Sequence, residues 1–396
     1  MLSADYLFKL MEKMKMAEEG KKQQKKIQRV GVIGGGQLAW MMADAAQKLG
    51  VDLIIQTPHK DDPAVSIAKD VIWAKIDDSQ ATTKLANSSD VITFENEFIN
   101  IDELSHLAEK NIIFRPSLSV LKPLLDKYEQ LCYLRDLGLP VPNFWEWGTE
   151  IESLSFPLVL KARRHGYDGQ GTFIIKDIET LKSQINSEFF IQEFIPFERE
   201  VAVIATRSVT GEFKVYPVVE TQQENQVCRR VFVPDKNLEL VTEIEGYAQT
   251  LLNSLEVVGV FGIEMFITKD NKVLINEIAP RTHNSGHYTL DACQTSQFEQ
   301  HLRAVCGLPL GSTSLKARGA VMVNLLGYEF GKKNYLTKQQ QLASIPNASV
   351  WWYGKTESRP GRKLGHVTVL LDEENFEIMG LEGEAIANQI EKIWHS

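Results

Sequence analysis

Two carboxylates interrupt apolar runs. Glu264 stands inside Gly262-Ile263-Glu264-Met265-Phe266, and Asn276-Glu277 inside Val273-Leu274-Ile275-Asn276-Glu277-Ile278. An unpaired carboxylate is costly to bury, so acids on neighbouring strands need cations. Mg²⁺, a hard ion with oxygen ligands that include phosphate, fits that need; a buried salt bridge to arginine is the alternative. Ala279-Pro280-Arg281-Thr282-His283-Asn284-Ser285-Gly286-His287 follows directly and sets an arginine, two histidines and an asparagine beside the acids. Zinc is the rival reading of those histidines, but Pro280 and Gly286 break the helix that an H-E-x-x-H site requires.

Lys161-Ala162-Arg163-Arg164-His165-Gly166-Tyr167-Asp168-Gly169-Gln170-Gly171 packs cations beside three glycines. Glycine amides can close over a polyphosphate while Lys161, on a strand, supplies a point charge to its oxygens. A solvated basic hairpin is the other reading. No Gly-Lys-Ser/Thr follows the glycines, so this is not a Walker loop. Gly34-Gly35-Gly36, after the strand Val30–Ile33, reads either as an anion cradle at a helix start or as a tight strand-to-helix turn. The spacing is not G-x-G-x-x-G, because Gln37, Leu38 and Ala39 follow.

These residues need elements to hold them. Val30–Ile33, Val51–Gln56, Val71–Trp73 and Val91–Phe94 read as strands with helical patterns between them, including one helix over Gln37–Leu49 ended by Gly50. Such alternation predicts a doubly wound parallel sheet, in which the glycine turn and the acids Glu95 and Glu97 face one crevice at the strands' carboxyl ends. After the Pro116–Pro123 stretch and a helix over Lys127–Leu137, a second unit begins. Its strands are predicted at Phe156–Lys161, Gly171–Ile175, Phe189–Phe194 and Glu200–Thr206, with a pair at Val258–Thr268 and Lys272–Ile278 and a helix over Thr295–Val305. A final β-rich unit runs from about Ala317 to Leu371.

The 396 residues suggest two or three domains, and 43% hydrophobic with 24% charged residues excludes a disordered chain or a coiled coil. A net charge of -9 lacks the positive surplus of phosphate-backbone binders, so nucleic acid is not an expected partner. No stretch is long and apolar enough for a membrane span, and a soluble protein is expected. Cys132, Cys228, Cys293 and Cys306 form no CxxC pair and suit reduced thiols in a cytosol. Residues 1–26 carry Leu7, Leu10, Met11 and Met14 at helical spacing and then a basic run, in the wrong order for a secretory signal; they read as a solvated arm.

Taken together, Gly34-Gly35-Gly36-Gln37-Leu38, Gly166-Tyr167-Asp168-Gly169, the run Asn276-Glu277 to His287, and Arg359-Pro360-Gly361-Arg362-Lys363 before Gly365-His366 resemble the ATP-grasp superfamily. Within it they resemble the 5-(carboxyamino)imidazole ribonucleotide synthetases of purine synthesis, over about residues 29–390. The resemblance implies a mixed α/β and α+β fold: a basic extension over 1–27, a pre-ATP-grasp doubly wound sheet over 28–120, an ATP-grasp core over 121–312, and a small β-rich C-terminal domain over 313–396. It implies a cytoplasmic homodimer that joins bicarbonate to aminoimidazole ribonucleotide through carboxyphosphate, with ATP and Mg²⁺.

By the same resemblance Lys127, Lys161, Asn276 and Glu277 would meet ATP phosphates, and Gly166, Tyr167, Asp168, Gly169, Gln170, Gly171 and Thr172 would cover them. Gln192, Glu193, Phe194 and Ile195 would edge the adenine, Glu200 would hold the ribose and Gln223 would approach the nucleotide. Glu264 and Glu277 would carry Mg²⁺. Gly36, Gln37, Leu38, Glu95, Tyr167, Asp168, Arg281, His283, Arg359 and Lys363 would meet the ribonucleotide, with Arg281 and His283 at the bicarbonate-derived group, Asp168 as acceptor of the amine proton and Asn284 also among the catalytic residues.

The chain departs from the family pattern at Ala39-Trp40, where Gly-Arg is usual, at Gln170, where a lysine or arginine is usual, and at Glu220-Thr221-Gln222-Gln223, where Glu-Asn-x-His is usual. Three other readings are a formate-dependent ribonucleotide transformylase, a degenerate nucleotide-binding scaffold and a nicotinamide dehydrogenase. The last lacks the glycine spacing and an acid after the second strand, where Gln56-Thr57-Pro58 stands.

Overall fold

The computed structural model describes residues 26–146, 154–164, 166, 171–224, 226–235 and 238–396. Tyr167, Asp168, Gly169 and Gln170, together with the extension over 1–25, lie outside the described residues.

The first unit is a parallel sheet of β1 (Arg29–Ile33), β2 (Asp52–Thr57), β3 (Asp70–Trp73) and β4 (Val91–Phe94), in the order β3-β2-β1-β4. The helix expected over Gln37–Leu49 is two helices, Gln37–Trp40 and Ala43–Leu49. Met42 N–H reaches back three residues to Ala39 O instead of four, and this break lets the consecutive Met41 and Met42 both turn into the core.

A small antiparallel sheet follows: β5 (Phe144–Trp145), β6 (Leu158–Ala162), β7 (Thr172–Ile175) and β8 (Phe189–Glu193), in the order β5-β8-β6-β7. The β6–β7 hairpin sets Lys161 opposite Thr172.

The large antiparallel sheet contains β9 (Phe197–Arg207), β10 (Phe213–Val215), β11 (Val219–Glu224), β12 (Val227–Val233), β13 (Gly259–Thr268), β14 (Val273–Ala279), β15 (Gly319–Leu326), β16 (Ala348–Trp352) and β17 (Lys363–Leu371). Its order is β14-β13-β9-β11-β12-β15-β17-β16, with β10 beside β9. The final β-rich unit expected from about Ala317 is present as β15–β17. Its β15 pairs with β12, from Arg230 opposite Val323 to Val233 opposite Ala320, so the C-terminal strands extend the core sheet.

The helix Phe376–His395 backs this junction, and Arg230 clamps it through Glu384 at 3.0 Å, Asn388 at 2.7 Å and Glu391 Oε1 at 3.0 Å. The parallel sheet docks on the helix Gln297–Cys306: Phe298, Leu302 and Val305 join its core with Tyr353. Each such side chain contributes roughly 1.5–3 kcal/mol on burial. Buried His301 accepts Val260 N–H at Nδ1 (3.2 Å), so its Nε2–H donates to Thr93 Oγ1 (2.8 Å) and ties β4 to the core.

Candidate active site

β13 and β14 pair so that Glu264 lies opposite Glu277, with a register shift just after Glu264. Like charges directly opposite repel, and the surroundings treat the two acids differently. Glu277 Oε2 accepts from Lys127 Nζ at 2.7 Å, and Lys161 Nζ donates to the neighbouring Asn276 Oδ1 at 2.7 Å. Asp126 positions Lys127: its carboxylate accepts from Tyr128 N–H (2.9 Å) and Glu129 N–H (3.2 Å), starting the helix Lys127–Asp136.

Burial and the facing Glu277 push Glu264 up to about 7. Burial also works against charge on Glu277, but Lys127, then Lys161 and Arg281, bring it below the usual carboxylate range. Of the pair, Glu264 is therefore the carboxyl that takes up a proton as the pH falls through neutrality. Burial and Glu264 raise Glu200 to about 7, and burial with the nearby Lys127 lowers Lys161 to about 8. Glu200 lies opposite Phe266 and Thr221, and Gln223 Nε2 stands 3.5 Å from its Oε1.

Further charges flank this group. Arg281 Nε meets Glu97 Oε1 at 2.8 Å, and Glu95 lies close enough to Arg281 and Lys355 for their charges to act on it. Burial nevertheless raises Glu95 above its ordinary range. His283 Nε2 is 3.7 Å from Glu264 Oε1, and burial, Arg281 and Lys363 hold the imidazole down to about 3.

Lys363 also acts on Glu264. β13 and β17 are five strand steps apart, about 24 Å at ordinary strand spacing. The sheet must therefore curl to bring these residues within reach of one another.

The glycine turn already holds an anion. A Cβ on Gly36 would collide with Glu95 Oε1, a Cβ on Gly34 would meet Glu95 Oε2 at 2.7 Å, and the Leu38 backbone hydrogen-bonds the same carboxylate. The cradle at Gly36, Gln37 and Leu38 thus encloses an internal carboxylate at the helix start. Asn284 is buried and exchanges amide hydrogen bonds with Asn324 at 2.8 and 3.0 Å, which joins its loop to β15.

Gly166 and Gly171 flank the mouth of the β6–β7 hairpin, where Ala162 N–H donates to Gly171 O at 2.7 Å and a Cβ on Gly171 would meet Ala162 Cβ at 2.8 Å. Thr172 O accepts from Gln226 Nε2 at 3.4 Å, a contact between the small sheet and the β11–β12 turn. At the end of β8, Gln192 and Ile195 are buried and Phe194 is half-buried, while the Glu193 carboxylate turns to Asn143 Nδ2 at 2.8 Å. Arg359 stays exposed on the turn before β17, apart from the half-buried Lys363.

Sequence reasoning named Glu97 without giving it a role, and passed over Gly262, Ser285 and Gln297. A Cβ on Gly262 would meet His283 Cβ at 2.5 Å, so only glycine admits the imidazole against β13. An isolated glycine in a strand pattern was the available signal. Gln297 carried none.

Among the described residues no three His, Cys, Asp or Glu side chains converge as a metal cage, which counts against zinc. Two facing carboxylates, one of them raised toward neutrality by burial and by the other's charge, suit a hard cation whose positive charge relieves both and whose coordination phosphate oxygens complete.

The ATP-grasp domain profile matches residues 133–298, the ribonucleotide synthetase preATP-grasp domain residues 27–122, and the phosphoribosylaminoimidazole carboxylase C-terminal domain residues 320–376. The N5-carboxyaminoimidazole ribonucleotide synthase of Synechococcus elongatus is 49% identical over 379 residues, covering 93% of this chain and 96% of that protein. The crystal structure of N5-carboxyaminoimidazole ribonucleotide synthetase from Thermotoga maritima superposes with a TM-score of 0.82 at 39% identity, over 92% of this chain and 98% of that one. The Aspergillus clavatus N5-carboxyaminoimidazole synthase, solved with ADP and 5-aminoimidazole ribonucleotide, superposes with a TM-score of 0.84 at 30% identity, over 93% and 98%. With its parallel pre-ATP-grasp sheet, ATP-grasp core and C-terminal strands matched in order, the chain belongs to the N5-carboxyaminoimidazole ribonucleotide synthase family.

Proposed function

We propose that the chain is an ATP-dependent ligase that carboxylates 5-aminoimidazole ribonucleotide with bicarbonate, giving the N5-carboxyamino nucleotide, ADP and phosphate in purine synthesis. The observation that carries this reading is one connected cluster of Lys127, Lys161, Glu264, Glu277, Arg281, His283 and Lys363, drawn from the core and the C-terminal strands.

A bicarbonate oxygen attacks the γ-phosphorus of ATP, the bond to the β-γ bridging oxygen breaks, and ADP leaves carboxyphosphate behind. The P–O bond then stays with phosphate as the C–O bond breaks, releasing CO₂. The exocyclic amine attacks that CO₂ and gives up a proton, for which Asp168 is the proposed acceptor. Lys127 and Lys161 hold phosphate oxygens and lower the cost of bringing an anion to them. Arg281 and His283 hold the bicarbonate-derived group, and Lys363 with Arg359 the ribose phosphate. Mg²⁺, held by Glu264 and Glu277, would screen the triphosphate charge. Bicarbonate is a poor nucleophile, so positioning carries much of the rate.

The same proposal includes the domain limits 28–120, 121–312 and 313–396, the adenine edge at Gln192–Ile195, a cytoplasmic location and a homodimer. The location is supported by four free cysteines, and no described helix is long and apolar enough to cross a membrane. The dimer rests on the family resemblance alone.

Phosphate release by the purified chain with ATP, Mg²⁺ and bicarbonate tests the function. Release that depends on 5-aminoimidazole ribonucleotide is expected, and release indifferent to it rejects the substrate. Glu277→Gln should cut turnover by at least about a hundredfold with the melting temperature retained. Unchanged turnover in that variant removes Glu277 from the metal site.

A further inference from the structure

The loop after β14 fixes more than the position of His283. Gln297, fully buried at the start of its helix, grips the His283 backbone at both ends: its Oε1 accepts His283 N–H at 2.9 Å and its Nε2 donates to His283 O at 2.7 Å. This double contact leaves one orientation for the amide. Its second Nε2 hydrogen faces His287 Nδ1 at 3.3 Å. Thr289 holds Gln297 in place by accepting its backbone N–H at 2.9 Å while donating to Gly286 O at 2.6 Å. A Cβ at Gly286 would meet Gln297 Oε1 at 2.7 Å, so a glycine there keeps the path open.

The imidazole itself lies between Gly262 on one side and Ser285 on the other. Ser285 N–H points to His283 Nδ1 at 3.4 Å, and Ser285 Oγ stands 2.9 Å from the same nitrogen. Since the backbone N–H can only donate, Nδ1 must present its lone pair, and the hydroxyl donates to it as well. The ring proton therefore sits on Nε2, the nitrogen that faces Glu264.

We infer that Ser285 and Gln297 are positioning residues that lock His283 into a single tautomer with its Nε2–H directed into the reaction site, making His283 a fixed hydrogen-bond donor to the bicarbonate-derived anion. This inference rests on the function proposed above. A neutral imidazole so held has no lone pair at Nε2, so it can grip an anionic oxygen but cannot take the amine proton through that nitrogen. Proton removal is left to another group.

Long-range ¹H–¹⁵N correlation spectra of ¹⁵N-histidine-labelled full-length protein read the tautomer directly, with the His283 signal assigned by its loss in His283→Gln. The wild type should show the Nε2–H form alone. Ser285→Ala, which leaves Nδ1 only the longer 3.4 Å contact from the backbone N–H, should admit some of the Nδ1–H form and raise the bicarbonate KM about three- to tenfold, the worth of one hydrogen bond, with the KM values for ATP and ribonucleotide unchanged. Gln297→Glu, which can accept from His283 N–H but cannot donate to His283 O, should raise the bicarbonate KM at least as far.

An Nδ1–H wild type overturns the inference, as does a Ser285→Ala protein that keeps one tautomer and its bicarbonate KM. An equal rise in all three KM values in Ser285→Ala also overturns it, because that pattern reports a general structural loss. If the wild type shows no ribonucleotide-dependent turnover, the proposed function fails, and the spectra still decide whether the lock exists.

Discussion

Lys161 is almost buried, its charge disfavoured by desolvation and by Lys127, and it titrates near 8 rather than at its ordinary 10.5. Below about pH 8 it is charged and attracts phosphate; above it the ligand-free protein must first recapture a proton. The ATP KM should therefore be flat to about pH 8 and then climb, approaching roughly tenfold per pH unit. A KM flat to pH 9.5 rejects Lys161 as the phosphate contact. The stability linkage has a definite sign. Between about 8 and 10.5 the unfolded chain binds this proton and the folded one does not, so this group's contribution to stability rises with pH across that window. The importance of Lys161, Glu264 and Glu277 was legible because charge in an apolar strand needs a reason. That Glu277 reaches Lys127, 150 residues away in the chain, was not, since only the assembled sheets bring them together.

At the scale of elements, periodicity and glycine punctuation placed most strands well: β4 is Val91–Phe94 as expected, β13 starts one residue later than expected, and β14 is shifted by one residue at each end. The break at Met41 and Met42 was hidden, because a helical pattern does not reveal that two adjacent side chains both seek the core. β13 shows how an element disciplines a side chain. Gly262→Ala should push His283 off the strand, costing about 1–3 kcal/mol of stability. It should also lower ribonucleotide-dependent turnover more than ATP binding, as measured by chemical denaturation and by nucleotide titration. An alanine variant that matches the wild type in both would show that the loop has room to yield.

Across the whole molecule, the β12–β15 pairing was beyond the reach of sequence reasoning: the sequence pattern marks a β-rich unit from about Ala317, while strand partners are chosen by three-dimensional fit. The C-terminal strands cannot come away without stripping hydrogen bonds from the core. Arg230→Met, which leaves Glu384 and Glu391 without their clamp, should lower the melting temperature by about 2–4 °C for each kcal/mol lost. Core and C-terminal region should still melt in one transition by calorimetry. Two resolved transitions would refute their mechanical unity. The curl of that single sheet has a consequence for the timing of the reaction. Glu264 and Glu277 on one limb and Lys363 on the other are set in the same bent plate, so on the proposed assignments the gap between the metal acids and the lysine that would hold the sugar phosphate is fixed when the chain folds.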